Sequence, residues 1–440
     1  MGSPRDSGAG PGTGTGTGSG ARVPPGLAGG RAAGYEFRAA ADWAEFGAVL
    51  DLAYGGYPHS AAHSAVAGAV FEPKRSLVAC RGGRVCATLA GYALEMTLPG
   101  GPAPVAGIGY VAVAPQHRRR GLMRELVRRA LTALHEERAE PVAVLHSTEP
   151  GIYGRFGFGP ASQVVGVSVP PEARGFAAGP ETGGLVSDVG SPVDARAAVA
   201  EVYDACLAQR PGLVRRDDAW LRRAFEDRPE ERHGAGRLLC MVASGAGGDA
   251  RGYALYRLRA NWERCAPRYA LSVREVFARD PAAYAFLWRS LLDTDLAGAV
   301  GAAARPVDDP LLALLDDPRS AAPTVRDQLY ARAVDLDRAL AARTYSAPVE
   351  VVMEVRDAMC PWNAGRWRLA GGVDGAVCVR TGAAADLALT ARELGAVLLG
   401  GGSLVQLGHA GLVTELRPGA LRAASAAFRH DPAPFCSVAF

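Results

Sequence analysis

At 440 residues the chain exceeds what one ordinary hydrophobic core holds, so several domains are expected. Its 48 basic residues nearly balance 45 acidic ones, and the net charge of +3 offers no polyanion-binding face, which argues against nucleic acid as a partner. No uninterrupted apolar run approaches the ~18 residues of a membrane span, and eight scattered cysteines without a CxxC pair fit neither a disulfide framework nor a metal site. The cysteines are expected to be reduced structural residues of a cytoplasmic protein.

In chain order, residues 1–34 are a Gly/Pro/Thr/Ser-rich stretch with almost nothing to bury, expected to be a disordered leader without the apolar segment of a signal peptide. Order begins near Tyr35. Helical periodicity is expected over Ala41–Ala53, followed by strands at Ser76–Cys80, Val85–Leu94 and Gly107–Ala114. A helix from Gly121 to about Arg138 and a strand at Pro141–His146 complete the α/β layout of a first unit spanning 35–178.

A second unit, 179–320, begins after a turn-rich stretch near Pro180–Pro192. It reads as helices at Asp194–Ala208 and Asp217–Phe225, then strands at Arg237–Val242, Gly252–Leu258 and Leu271–Phe277, then a helix at Pro281–Leu292. This order repeats that of the first unit. A third, α+β unit, 321–440, carries short strands at Val349–Val355, Trp367–Leu369, Ala376–Val379 and Asp386–Thr390, with helices at Ala391–Leu399 and Pro418–His430. Proline in the first turn is a favourable helix start. The chain ends PFCSVAF, an uncharged apolar tail where termini are usually polar.

The chemistry concentrates in VAVAPQHRRRGLMRELVRRAL, residues 111–131. A short strand meets Pro115, a basic turn follows, and Gly121 opens a helix whose buried face is Leu122, Leu126, Ala130 and Leu134. A helix N-terminus with unpaired N–H groups, beside Arg118, Arg119 and Arg120, suits a phosphate or pyrophosphate. Neither GxxxxGK[ST] nor GxGxxG is present in this stretch, so it is not a P-loop and is poorly suited to a dinucleotide. Downstream, LHSTEPGIYGRFGFGPA, residues 145–161, packs glycines among aromatic rings, as a tight corner or the wall of a site would.

The Arg118-x-x-Gly121-x-Met123 turn, after a V-x-V strand and opening a helix, resembles the acyl-coenzyme A signature of the GNAT N-acetyltransferases, whose pattern is Gln/Arg-x-x-Gly-x-Gly/Ala. Met123 departs from it at the last position. In that fold the motif's strand and the next one splay apart, here Val111–Ala114 and Pro141–His146. VAVAPQHRRRGL together with LHSTEPGIYGRFGFGPA is similar, more narrowly, to the Eis (enhanced intracellular survival) acetyltransferases. The resemblance covers about nine-tenths of the chain. It implies two tandem GNAT folds, only the first binding acetyl-CoA, and a sterol-carrier-protein-like domain whose C-terminus enters the active site.

The resemblance further implies acetyl transfer from acetyl-CoA to an amine. Tyr153 would protonate the leaving thiolate, a role suited to a phenol with an unperturbed pKa of ~10. The carboxylate of Phe440 would act as base, and the Val113 N–H would stabilise the oxyanion. Val111, Ala112, Val113, Arg119, Arg120, Gly121, Leu122, Met123, Arg124, Thr148 and Glu149 would contact the donor, with no metal required. Tyr54, Tyr57, Tyr110 and Phe158 are candidate walls for the acceptor. Family members acetylate aminoglycosides, which implies a small-molecule amine as partner and a homohexamer as assembly. Lysine or peptide acetylation, or non-catalytic acyl-CoA or lipid binding, are the alternatives. YGGYPHS, residues 54–60, carries no carboxylate and Ala439 is neutral, which is poor provision for a polycation.

Overall fold

The computed structural model describes residues 32–55, 60–263 and 265–440. The expected leader therefore lies almost wholly outside the described residues, and so does Tyr57.

In the first part of the chain, β1 (Glu36–Ala39) leads to α1 (Ala44–Ala53) and α2 (Ala61–Val70), then β2 (Leu77–Arg81), β3 (Arg84–Leu98), β4 (Gly101–Val113), α3 (Leu122–Glu136) and β5 (Val142–His146). A one-turn helix α4 (Pro150–Tyr153), then β6 (Gly159–Pro160) and β7 (Gln163–Val169), end this part. The next part holds β8 (Val186–Gly190), α5 (Arg196–Leu207), α6 (Asp218–Ala224), β9 (Leu239–Ser244), β10 (Ala250–Arg259), a two-residue-per-strand hairpin β11 (Trp262–Glu263) and β12 (Ala266–Pro267), β13 (Tyr269–Ala278), α7 (Pro281–Leu292), β14 (Ala297–Pro306), α8 (Leu311–Leu314) and β15 (Thr324–Asp327). Then come β16 (Leu329–Ala333), α9 (Leu336–Ala341), β17 (Val349–Arg356), β18 (Gly365–Gly372), β19 (Gly375–Arg380), β20 (Leu387–Thr390), α10 (Ala391–Val397), α11 (Leu404–His409), β21 (Thr414–Glu415) and α12 (Ala420–Phe428). The last helix starts after Pro418, because Gly419 sits at φ 88° and holds the chain out of helical geometry there.

Two seven-stranded mixed sheets share one plan, with order β1-β2-β3-β4-β5-β16-β6 in the first and β15-β7-β14-β13-β10-β9-β8 in the second. Each contains one parallel pair, β4/β5 and β13/β14, joined through α3 and α7 respectively. Strand pairing cuts across the divisions expected at 178 and 320. β7 leaves the first part to pair with β14, while β16 returns from beyond the second part to pair with β5. The two sheets thus exchange a strand. A five-stranded sheet, β19-β18-β17-β20-β21, forms the third unit.

These interlocked pairings give a shared core. One apolar cluster runs from Val78, Tyr92 and Val144 of the first sheet through Leu329 and Ala331 of β16 to Met353, Trp367 and Phe428 of the third unit. Arg332 on β16 is fully buried, and its guanidinium meets Asp357, itself buried, at 2.6 Å. Such a charge is tolerable in the interior only when paired and hydrogen-bonded. Seven of the eight cysteines are free and buried, and Cys265 is exposed.

Candidate active site

The cleft begins with a bulge. β3 and β4 pair antiparallel, with a register shift where Thr88 faces Ala112 and Ala90 faces Gly109. Tyr110 takes up the extra residue in a left-handed conformation, φ 47°, and Thr88 Oγ1 donates to its carbonyl at 2.9 Å. Bulges bend the strand that carries them and re-aim its side chains. On the other edge of β4, pairing with β5 stops at Ile108/Leu145 although β4 continues to Val113. β5 itself ends at His146, so the last five residues of β4 have no strand partner on that edge.

The edge left open by β5 carries the Val113 backbone. Ala114 N donates to Cys86 O at 2.9 Å, so the alternation of an antiparallel ladder turns Val113 away from β3 and toward the open edge. Its carbonyl accepts from Arg118 Nε at 3.4 Å. Beyond, Arg119 and Gly121 sit at positive φ, 61° and 80°, and Gly121 is the N-cap of α3. Glycine reaches this conformation without strain, so the chain turns sharply and presents the first N–H groups of α3. Arg119, Arg120 and Arg124 are exposed and take no ion pair among the described residues. Free positive charge at a helix N-terminus fits a pyrophosphate. Leu122 is buried beneath this turn and Met123 is half-buried.

The second sheet lacks this provision. Eight residues, 114–121, join β4 to α3, but only Arg279 and Asp280 join β13 to α7. The Asp280 carboxylate already caps the helix by accepting from Ala283 N, and Pro281 contributes no N–H. The charges of this turn are also already paired, Asp280 with Arg251 at 2.8 Å and Arg279 with Glu201 at 3.1 Å, whereas the first sheet leaves its arginines free of ion pairs among the described residues.

Tyr153 ends α4 and is 8% exposed, edge-on to Phe156 and Phe158. Burial, with Tyr54 and Glu149 nearby, pushes its phenol above the usual range, so it stays protonated at neutral pH. Thr148 and Glu149 are exposed at the mouth, just past β5. Tyr54 is half-exposed at the end of α1, and Tyr110 is half-buried, edge-on to Trp43 at 4.8 Å. Phe158 is not on the acceptor wall. It is fully buried, with the Arg332 guanidinium 5.8 Å from its ring, in an apolar cluster that includes Met359 and Cys360 of the third unit.

The chain terminus lies in the same cleft. A Cβ added to Gly109 of β4 would stand 2.8 Å from both the carboxyl carbon and an oxygen of Phe440, and one added to Gly107 would meet the Phe440 ring. The Phe440 ring lies 4.9 Å from that of His146 and 6.4 Å from that of Tyr92. Almost every residue of the tail is tethered. Phe435 N donates to Pro211 O at 2.9 Å, Gln328 exchanges two hydrogen bonds with the Cys436 backbone, and Arg216 reaches Ser437. His146 Nε2 bonds the Val438 carbonyl at 2.9 Å, and Arg223 Nε donates to the Ala439 carbonyl at 2.9 Å. Arg216 and Arg223, and Trp220 between them, come from the second unit; nothing local in that stretch of sequence announces a role in a cleft of the first.

The match of the chain to known families follows this anatomy. Residues 36–161 and 212–333 each match an acetyltransferase (GNAT) domain, and residues 336–437 match a sterol carrier protein domain. An uncharacterized N-acetyltransferase of Streptomyces avermitilis is 40% identical over 400 residues, 91% of this chain and 97% of that protein. N-acetyltransferase Eis of Mycobacterium tuberculosis is 34% identical over 358 residues, 77% of this chain and 81% of that one. The chain belongs to the Eis family of N-acetyltransferases. The crystal structure of Eis1 from Mycobacterium abscessus superposes with a TM-score of 0.78 at 30% identity, covering 92% of this chain and all of that one. The fold is that of the Eis family: tandem GNAT domains followed by a sterol-carrier-type domain. The enzyme is an N-acetyltransferase, and as a GNAT protein it takes acetyl-CoA as donor. No helix among the described residues is long and apolar enough to cross a membrane.

Proposed function

We propose that the enzyme transfers the acetyl group of acetyl-CoA to a primary amine of a small molecule in the cleft between β4 and β5. The Phe440 carboxylate removes the proton of the attacking amine, the Val113 N–H receives the developing oxyanion, and the Tyr153 phenol protonates the departing thiolate. Val111, Ala112 and Val113 flank the thioester arm, the Arg119–Arg124 turn holds the pyrophosphate, and Thr148 and Glu149 stand at the reactive end. The observation that carries this reading is the Phe440 carboxyl group against Gly109, on the strand whose open edge presents Val113. An expected homohexamer in the cytoplasm is part of the same reading; light scattering of the purified protein tests the assembly.

Aminoglycosides are the acceptor class that the resemblance implies. One observation favours a less cationic amine: Arg223 of α6 bonds the carbonyl of the neutral Ala439, so the tail's one carboxylate, that of Phe440, is accompanied by a guanidinium on the next residue back. Thiol release from acetyl-CoA, followed across kanamycin, simple diamines and a lysine peptide, tests both. Turnover of some amine by the wild type, lost when one residue is appended after Phe440, is the expected result; unchanged turnover of the extended protein removes the carboxylate from the mechanism.

A further inference from the structure

Arg223 of α6 has three nitrogens and two visible partners. Nε donates to the Ala439 carbonyl at 2.9 Å and Nη2 to the Tyr110 hydroxyl at 2.7 Å. Nη1 is buried and has no hydrogen-bond partner among the described residues. Arg223 forms no ion pair among them either: the nearby Glu226 is engaged by His63 at 2.8 Å and by Arg228 at 3.3 Å. A second buried polar atom without a hydrogen-bond partner among the described residues is the hydroxyl of Tyr92, a residue 1% exposed. Tyr92 packs edge-on to Trp220 with ring centroids 5.4 Å apart, and the Arg223 guanidinium lies 6.0 Å from the same indole. The Phe440 ring lies 6.4 Å from that of Tyr92, and its carboxylate hydrogen-bonds neither of the two atoms.

Buried polar groups are almost always hydrogen-bonded, so two orphans beside one indole and one chain terminus call for a ligand. Burial pushes the Tyr92 phenol well up, which keeps its proton in place. Both orphans are then donors, one of them cationic. Their natural counterpart accepts only, carries negative charge and offers two oxygens. We infer that Arg223 and Tyr92 recognise a carboxylate on the acceptor, so that the amine acetylated is that of an amino acid or a similar aminocarboxylate. This rests on the amine-acetyltransferase reading of the cleft.

L-Lysine and cadaverine differ only by the carboxylate and serve as matched probes. With saturating acetyl-CoA, wild-type kcat/KM is expected to be at least tenfold higher for L-lysine. Arg223→Gln and Tyr92→Phe are each expected to shrink that ratio at least fivefold. Arg223 also tethers the tail, and loss of that tether alone slows both acceptors alike; an unchanged ratio in both variants therefore overturns the inference. Calorimetric titration of the wild type with each probe needs no turnover. Tighter binding of L-lysine without acetyl transfer to either amine upholds carboxylate recognition while defeating the proposed reaction. Equal affinities, or a preference for cadaverine, mean that the two orphans hold only solvent, and the inference falls even if both amines are acetylated.

Discussion

Tyr153 and His146 stand seven positions apart and address opposite ends of the proposed reaction. Tyr153→Phe keeps the ring and its packing against Phe156 and Phe158 but removes the proton donor, so kcat is expected to fall about a hundredfold or more with little change in the KM of acetyl-CoA. His146 acts through the tail. Its Nε2 donates to the Val438 carbonyl, and burial holds its imidazole below the usual pKa. The native state therefore binds fewer protons there than the unfolded chain. The stability His146 lends is fully present above the unfolded value of about 6.5 and drains away as pH falls from there through the depressed native value. Melting curves should display this: the gap in Tm between wild type and His146→Gln is expected to be widest near pH 8 and to narrow below pH 6.5. A gap independent of pH would mean that the imidazole contributes only its shape.

At the scale of elements, β4 does the work, and two of its features differ in how far the sequence reveals them. The V-x-V strand, the basic turn and the start of α3 were legible because each has a local cause: alternation, a proline that ends the ladder, and a glycine at positive φ. The trough for the terminus was not, since Gly107 and Gly109 read as ordinary strand glycines until Phe440 is laid against them. Gly109→Val is expected to push the terminal carboxyl out of place while leaving the acetyl-CoA turn intact, lowering kcat at least tenfold with an unchanged KM for acetyl-CoA; steady-state kinetics decide. β14, with the sequence AGAVGAAARP, is not legible because alanine and glycine carry no strand signature, and its pairing comes from the neighbouring strands. The Arg223–Tyr92 pair escaped for a different reason: the two residues are 131 positions apart and meet only through tertiary packing. Phe158 lies in the core and not on the wall its sequence suggests, since a ring in a glycine-rich corner looks the same in sequence whether it faces a cleft or a core.

At the scale of the whole molecule, the exchanged strands and the threaded tail tie three units into one. β16 is the pivot, bonded to β5 and β6 of the first sheet, with its Arg332 paired to Asp357 of the third unit. The same guanidinium donates to the Phe156 carbonyl, in the corner that carries Tyr153. Removing one partner strands a buried charge, so Asp357→Ala is expected to cost about 3–5 kcal/mol, whereas replacing both with leucine keeps the volume and removes both charges at far smaller cost. Urea unfolding followed by fluorescence and circular dichroism tests this. If the units are tied as their strands imply, Asp357→Ala moves one coincident transition to lower urea, and acetyl transfer is lost along it. A separate early transition of the third unit, with the acetyl-CoA cleft still folded and Tyr153 in place, would instead mean that the strand exchange joins the first two units alone and that the third is held only by its tail.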